Sequence, residues 1–278
     1  MLQSIRNSRL ARHLSGIHLS RVPMDVEVDI PSLCNIIKQS KTLATVDIRE
    51  IRIGDEGAPA IAEAIAQSKS LTTVNLSWKV IGVVGTSAIA EAIKQSKSPL
   101  TTVNVSYNAI GTVGARAIAE AIKQSQSLTS VDLSGNAIDV AGASAIAEAI
   151  KQSKSLTTVN LRGNSISDVG ASAIAEVIKQ SKSLTMMDLS GNAISDVGAS
   201  AIAKAISQSK SLKAVDLSHN WIGNDGAIAI AEAIKQSKSL ARVDLAYNLI
   251  GAIGISAIVE AIQQIQSGVL VRLEHQIL

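Results

Sequence analysis

Along most of the chain one alternation of apolar and polar positions returns every 28 residues. Leu43, Leu71, Leu100, Leu128, Leu156, Leu184, Leu212 and Leu240 each open a similar segment, so eight copies run in tandem, one of them 29 residues long because Pro99 is added. In the copy LTTVNLRGNSISDVGASAIAEVIKQSKS, Leu156 to Ser183, apolar residues stand at positions 1, 4, 6, 11, 19 and 23, with Asn at 9 and Gly at 15. Gly occupies position 15 in all eight copies. Apolar positions 4 and 6 set against polar 3, 5 and 7 predict a short strand with one buried face. Positions 16, 19, 20 and 23, here Ala171, Ile174, Ala175 and Ile178, follow the spacing of a helix stripe. Each repeat is therefore predicted to be strand, turn, helix.

One such repeat cannot cover its own apolar face, because about 28 ordered residues lose more conformational entropy than about six aliphatic side chains offset. Neighbours must stack, which places like positions side by side. Strands sit about 4.8 Å apart and helices about 8–10 Å apart, so the stack is expected to bend with its strands inside. The predicted fold is a curved α/β solenoid, a horseshoe with a parallel β-sheet on the concave face and α-helices on the convex face. Residues 1–42 read as an N-terminal cap and irregular first repeat, 43–267 as the eight repeats, and 268–278 as a truncated repeat strand. The Gly at 15 is expected to permit a tight entry into each helix, and Asp168 and Asp196, just before that entry, stand where helix caps would. Asn108, Asn136, Asn164, Asn192, Asn220 and Asn248, at position 9, are suited to satisfying backbone groups of the turn and are read as structural.

The pattern L-x-x-V-x-L-x-x-N-x-I, with Gly at 15 and aliphatics at 19 and 23, resembles the ribonuclease-inhibitor class of leucine-rich repeats over about residues 43–278. Ile51 and Lys79 stand where Asn is expected, so the first two turns are expected to be built differently. That family includes ribonuclease inhibitor, the sensor regions of NOD-like receptors, the Ran GTPase-activating protein and some bacterial effectors. The resemblance implies a concave face that receives protein partners.

Composition sharpens this picture, because the chain has no Phe, two Trp and two Tyr. Trp78, Tyr107 and Tyr247 stand at position 8 and Trp221 at position 10, so all four fall in the turn leaving the strand. Trp, Tyr and Arg are enriched at binding hot spots, and the four rings are candidate anchors for a partner. They fall into two groups, Trp78 with Tyr107 and Trp221 with Tyr247, while Gly135, Gly163 and Gly191 occupy position 8 between them.

Charge adds a column at position 5, Asp47, Asn75, Asn104, Asp132, Asn160, Asp188, Asp216 and Asp244, whose last three members are carboxylates expected on adjacent strands. Like charges there repel, and a basic or mixed-charge partner protein, Arg242, or solvent would relieve them. Arg49 and Arg162 interrupt the same face at position 7, and His219 lies beside it. The KQSKS segments carry regular lysines, but Glu three residues earlier, as in Glu91–Lys94 and Glu148–Lys151, predicts helix-surface pairs and a solubilising edge rather than a nucleic-acid surface.

A net charge of +3 is too small to demand nucleic acid, and a lone cysteine, Cys34, excludes an intramolecular disulfide and aligns with a buried helix stripe. No run of 18 uncharged apolar residues predicts a membrane span. The one cluster that invites catalysis, His219 with Ser218, Asp188, Asp216 and Asp244, lies on an open face with nothing to orient a nucleophile. No metal-ligand spacing or cofactor motif is present, and the expectation is a non-enzyme without cofactor. Residues 1–22, with four Arg and no acid, read either as a capping segment or as a mitochondrial targeting segment. The ending VLVRLEHQIL reads as an uncovered edge strand, and the expectation is a monomer or a weak end-to-end dimer. The functional expectation is a cytoplasmic, non-catalytic protein-interaction scaffold. The alternatives are a regulator of a small GTPase, with Arg49 and the acidic column as its support, and an effector secreted into a host cell.

Overall fold

The computed structural model describes residues 14–19, 29–49, 53–78, 80–265 and 268–276. Ile51, Lys79 and most of the arginine-rich leader lie outside the described residues, and so do the expectations placed on them. The chain divides into two compact units, Met1–Asn136 and Ala137–Leu278.

In the first unit strand and helix alternate as β1 (Gly16–His18), α1 (Ile30–Gln39), β2 (Thr45–Asp47), α2 (Gly54–Gln67), β3 (Thr73–Asn75), α3 (Val83–Gln95), β4 (Thr102–Asn104), α4 (Gly111–Gln124) and β5 (Ser130–Asp132). Its strands pair in parallel and in chain order, with Gly16 opposite Thr45, Thr45 opposite Thr73, Thr73 opposite Thr102 and Thr102 opposite Ser130. β1 and α1 are thus a strand and helix of the same kind as those of the copies that follow. Cys34 is buried on α1 beside Leu33 and Ile37, and burial pushes its thiol above the ordinary range.

The second unit runs α5 (Val140–Gln152), β6 (Thr158–Asn160), α6 (Ser167–Gln180), β7 (Met186–Asp188), α7 (Asp196–Gln208), β8 (Ala214–Asp216), α8 (Asn224–Gln236), β9 (Arg242–Asp244), α9 (Ala252–Gln264) and β10 (Leu270–Arg272). Thr158 lies opposite Met186, Met186 opposite Ala214, Ala214 opposite Arg242, and Arg242 opposite Leu270, again in parallel. In each unit the sheet is one layer and the helices are the other. Between them Leu at position 1, Val or Met at 4, Leu at 6 and Ile at 11, 19 and 23 are buried, as in Leu184, Met187, Leu189, Ile194, Ile202 and Ile206.

Asp29 and Asp139 cap α1 and α5 locally, whereas several other helices begin through contacts that reach across repeats. Asp168 was expected to cap its own helix, but it lies inside the first turn of α6 and serves the next repeat instead. Its Oδ1 accepts from the backbone N–H of Ser195 at 2.8 Å and of Gly198 at 3.0 Å, and its Oδ2 accepts from the Ser195 hydroxyl at 2.6 Å. Asp196 likewise accepts from the N–H groups of Gly223 and Gly226, Asp55 from those of Gly82 and Gly85, and Asn224 from those of Gly251 and Gly254. The α7 cap that Asp168 completes satisfies donors that a helix terminus leaves orphaned.

This contact also explains the Gly at position 15. A methyl group on Gly198 would stand 2.6 Å from Asp168 Oδ1, 2.7 Å from Ile194 Cγ2 and 3.2 Å from Ala171 Cβ. Space is the reason for glycine there, since its backbone is helical. At the other end, the first Ser of each SKS segment turns the chain back to the sheet: Ser68, Ser181, Ser209 and Ser237 accept through their hydroxyls from the N–H groups of Leu71, Leu184, Leu212 and Leu240.

Candidate functional site on the strand-exit turns

Each strand ends because the side chain at position 5 folds back on its own backbone. Oδ1 of Asn75, Asn104, Asp132, Asn160, Asp188 and Asp216 accepts from the N–H of the residue at position 7, at 2.9–3.0 Å. Asp and Asn are interchangeable as acceptors in this turn. The acid-and-amide column is therefore a turn device in all eight repeats, Asp47 and Asp244 included, a role that its reading as a charged face did not contain.

Position 9 closes the same turn from inside. Asn192 Nδ2 donates to the carbonyls of Leu161, Leu189 and Ser190 at 2.9–3.1 Å, and its Oδ1 accepts from the N–H of Asn164. Asn108, Asn136, Asn220 and Asn248 are buried and donate in the same way, to their own turn and to the preceding one. Asn164 is also buried and donates to Leu161. In the last repeat Gln276 takes this role, donating to Leu245 and Leu273 and accepting from Ile250.

Between these two anchors position 8 is forced into the left-handed region. Gly135, Gly163 and Gly191 adopt φ of +63°, +63° and +65°, a conformation open to glycine at no steric cost. Trp78, Tyr107, His219, Tyr247 and His275 adopt the same conformation with φ of +54° to +60°, although for a residue with a Cβ it costs about 1–2 kcal/mol. Their N–H groups continue the ladder beyond the strands, as in Trp78 to the Ser106 carbonyl at 3.0 Å and His219 to the Ala246 carbonyl at 2.9 Å.

The rings so placed stack. In the first unit Trp78 and Tyr107 lie with centroids 4.0 Å apart and planes 10° apart. In the second unit Tyr247 lies between His219, at 4.3 Å and 7°, and His275, at 5.0 Å and 19°. Trp78 is 53% exposed, Tyr107 40%, Tyr247 36% and Trp221 62%. Trp221, grouped with Tyr247 by its place in the sequence, makes no ring contact among the described residues, and the stack beside it is histidine–tyrosine–histidine. His275 was not singled out as a ring from the sequence, yet it stands at position 8 counted from Gly268, which was the signal that could have found it.

The charges of the sheet face are unequal. Asp47 is gripped by Arg49, with Nε 3.1 Å from both carboxylate oxygens, and His18 lies 3.8 Å away. The hydrogen bond from Arg49 holds the Asp47 carboxyl below the usual range, which burial alone would raise. Asp244 sits between Arg242 at 3.4 Å and Arg272 at 3.2 Å, and Arg272 also meets Glu274 at 2.9 Å. Asp188 and Asp216 stand opposite one another in the register and form no salt bridge among the described residues. Burial raises the Asp188 carboxyl above its ordinary range, and the Asp216 charge adds to this against the hydrogen bonds from Ser190 and the positive charge of the exposed Arg162. The His219 ring lies flat on Tyr247, and Asp216 Oδ1 accepts from the Ser218 N–H.

On the helix layer Lys94, Lys123 and Lys235 pair with Glu91, Glu120 and Glu232. Glu148, expected to pair with Lys151, instead accepts from Gln152 Nε2 at 2.7 Å. No helix of the described residues is long and apolar enough to cross a membrane.

Comparison with known proteins agrees with this geometry. A family model described as a leucine rich repeat matches residues 96–119, 124–147, 152–175, 180–203 and 208–231. No curated protein matches. Among solved structures, TLR13 in its complex with ssRNA13 is similar at a TM-score of 0.56 and 16% identity, over 99% of this chain and 34% of that one. Actin-binding site 2 of leiomodin-1 is similar at 22% identity and a TM-score of 0.48, over 52% of this chain and 86% of that one. The tropomodulin C-terminal domain of Caenorhabditis elegans is similar at 16% identity and 0.42, over 64% and 92%. Residues 96–231 carry leucine-rich repeats, and the chain has the fold of a leucine-rich-repeat solenoid.

Proposed function

We propose that this chain is a non-catalytic scaffold that holds a partner protein on its sheet face and strand-exit turns, with the stacked rings as anchors. One observation carries the reading: at position 8, where glycine is free of strain, Trp78, Tyr107, His219, Tyr247 and His275 hold large rings in a left-handed backbone and keep them accessible. Strain retained at exposed side chains is a mark of function. The Asp188 and Asp216 pair, without a salt-bridge partner among the described residues, favours a basic or mixed-charge surface on that partner. We place the chain in the ribonuclease-inhibitor class from its 28-residue spacing and in the cytoplasm, the latter to be checked by a fluorescent fusion.

The test is affinity capture with the intact chain, followed by titration of each captured protein against the wild type and a variant with Trp78, Tyr107, Trp221 and Tyr247 replaced by Ala. A partner of this surface loses at least about a hundredfold in affinity, the scale of two hot-spot residues. Capture that is indifferent to the four replacements overturns the assignment.

A further inference from the structure

Tyr107 has two ring faces, and the structure accounts for both. One lies against Trp78, 4.0 Å away and within 10° of parallel. The other lies over the backbone of Gly135: a methyl group there would fall onto the ring, 2.5 Å from Cε1 and 3.0 Å from Cγ. Gly135 shares its left-handed conformation with Gly191, at φ of +63° and +65°. A methyl group on Gly191, however, would meet nothing nearer than the Gly163 amide nitrogen at 3.5 Å. The two glycines therefore answer to the same backbone requirement, and only Gly135 also answers to a ring.

We infer that Gly135 is the positioning residue of the Trp78–Tyr107 anchor, a seat that holds Tyr107 flat and leaves ring edges and polar donors, rather than the faces of Tyr107, for the partner. This rests on the binding role proposed above. An aromatic ring carries a positive edge and a negative face. With both faces of Tyr107 covered, its 40% exposure comes from the edge and the hydroxyl. Neither that hydroxyl nor the Trp78 indole N–H meets an acceptor among the described residues. The chemistry that fits is a segment of partner protein presenting hydrogen-bond acceptors, peptide carbonyls or carboxylates, to the rim. A planar group or guanidinium needing a bare Tyr107 face does not fit.

The experiment compares Gly135→Ala with Gly191→Ala in the full chain carrying Trp221→Phe, so that Trp78 is the one indole. Both substitutions meet the same backbone strain, and only the first displaces Tyr107. Gly135→Ala is expected to lose most of the near-ultraviolet circular dichroism of the stacked pair and to shift the Trp78 emission, while Gly191→Ala leaves both unchanged. Equal effects, or none, overturn the seat. For the contact chemistry the probe is a peptide selected from a displayed random library on the intact wild-type chain and dependent on Trp78. Tyr107→Phe, which keeps the ring and removes the donor, should weaken that peptide about tenfold, and unchanged affinity sinks the donor role. If no Trp78-dependent peptide emerges, the contact chemistry falls, while the proposed binding function is decided by the capture experiment above and the seat by the spectra.

Discussion

Asp168 Oδ1 accepts the backbone N–H of Gly198 at 3.0 Å, so a carboxylate in one repeat closes the first turn of the helix in the next. The relationship makes capping a term of the interface between neighbours rather than of a single helix. In a stacked array, stability depends on such nearest-neighbour terms, and a cap placed across the joint ties register to helix formation.

Asp168→Ala removes an acceptor from the Ser195 and Gly198 N–H groups and from the Ser195 hydroxyl, and should cost about 1–2 kcal/mol, read as a lower urea midpoint. Burial disfavours the charge, but the Ser195 hydroxyl and the two backbone donors outweigh it and hold the Asp168 carboxyl below its ordinary range. A depressed folded-state value means that the contribution is present above the unfolded pKa of about 3.9 and fades as pH falls through the folded value. The gap between wild type and variant should therefore narrow in acid. A gap that stays constant from pH 7 to pH 2 would show that the charge of Asp168 does not take part.

Asn192→Ala should be the more severe change. The side chain serves three carbonyls and one N–H, all buried between turns, and alanine leaves them without partner or solvent. A loss of about 3 kcal/mol or more is expected in equilibrium unfolding. A loss under about 1 kcal/mol would mean that water replaces the amide, and the turn would then be far less rigid than this geometry implies.

Tyr247→Gly and Tyr247→Ala separate binding from stability. Both remove a ring stacked on His219 and His275, worth about 0.5–1.5 kcal/mol, but glycine also releases a φ of +56°. The glycine variant should be about 1 kcal/mol more stable than the alanine variant, while both lose affinity for the partner alike. An alanine variant as stable as glycine would show that position 8 carries no strain.

The strand–turn–helix order and the buried positions were legible because a 28-residue rhythm repeats two simple periods, alternation at positions 4 and 6 and a helix stripe from 16 to 23. The exposure of Trp78, Tyr107, Trp221 and Tyr247 was legible for the same reason, since position 8 or 10 falls beyond the strand. What the residues do to one another was not. The reach of Asp168 to Gly198 depends on how helices of adjacent repeats are offset, and nothing in one repeat distinguishes a cap for its own helix from a cap for the next. The left-handed backbone at position 8 was masked because, among the described residues, Trp, Tyr or His stands there five times and Gly three, so the usual glycine signal of positive φ was diluted. Gln276 in place of Asn was hidden by its longer side chain, which reaches the equivalent carbonyls, those of Leu245 and Leu273.

Asp188→Asn tests the sheet face. The amide can still accept from the Ser190 N–H, as Asn75, Asn104 and Asn160 do in their own turns. It removes a charge that is disfavoured by burial and faces Asp216 across the register. Here the folded-state pKa is raised above the unfolded one, so the ionised group lowers stability at neutral pH, and this penalty vanishes as pH falls through the folded value and then the unfolded one. The variant should gain about 0.2–1 kcal/mol at pH 7, the scale of one like-charge cross-strand contact, and lose that advantage below about pH 4. The same substitution should weaken a basic partner. A variant that is less stable than wild type at pH 7 would mean that Asp188 is stabilised as a carboxylate, and a variant that binds the partner as well as wild type would remove Asp188 from the interface.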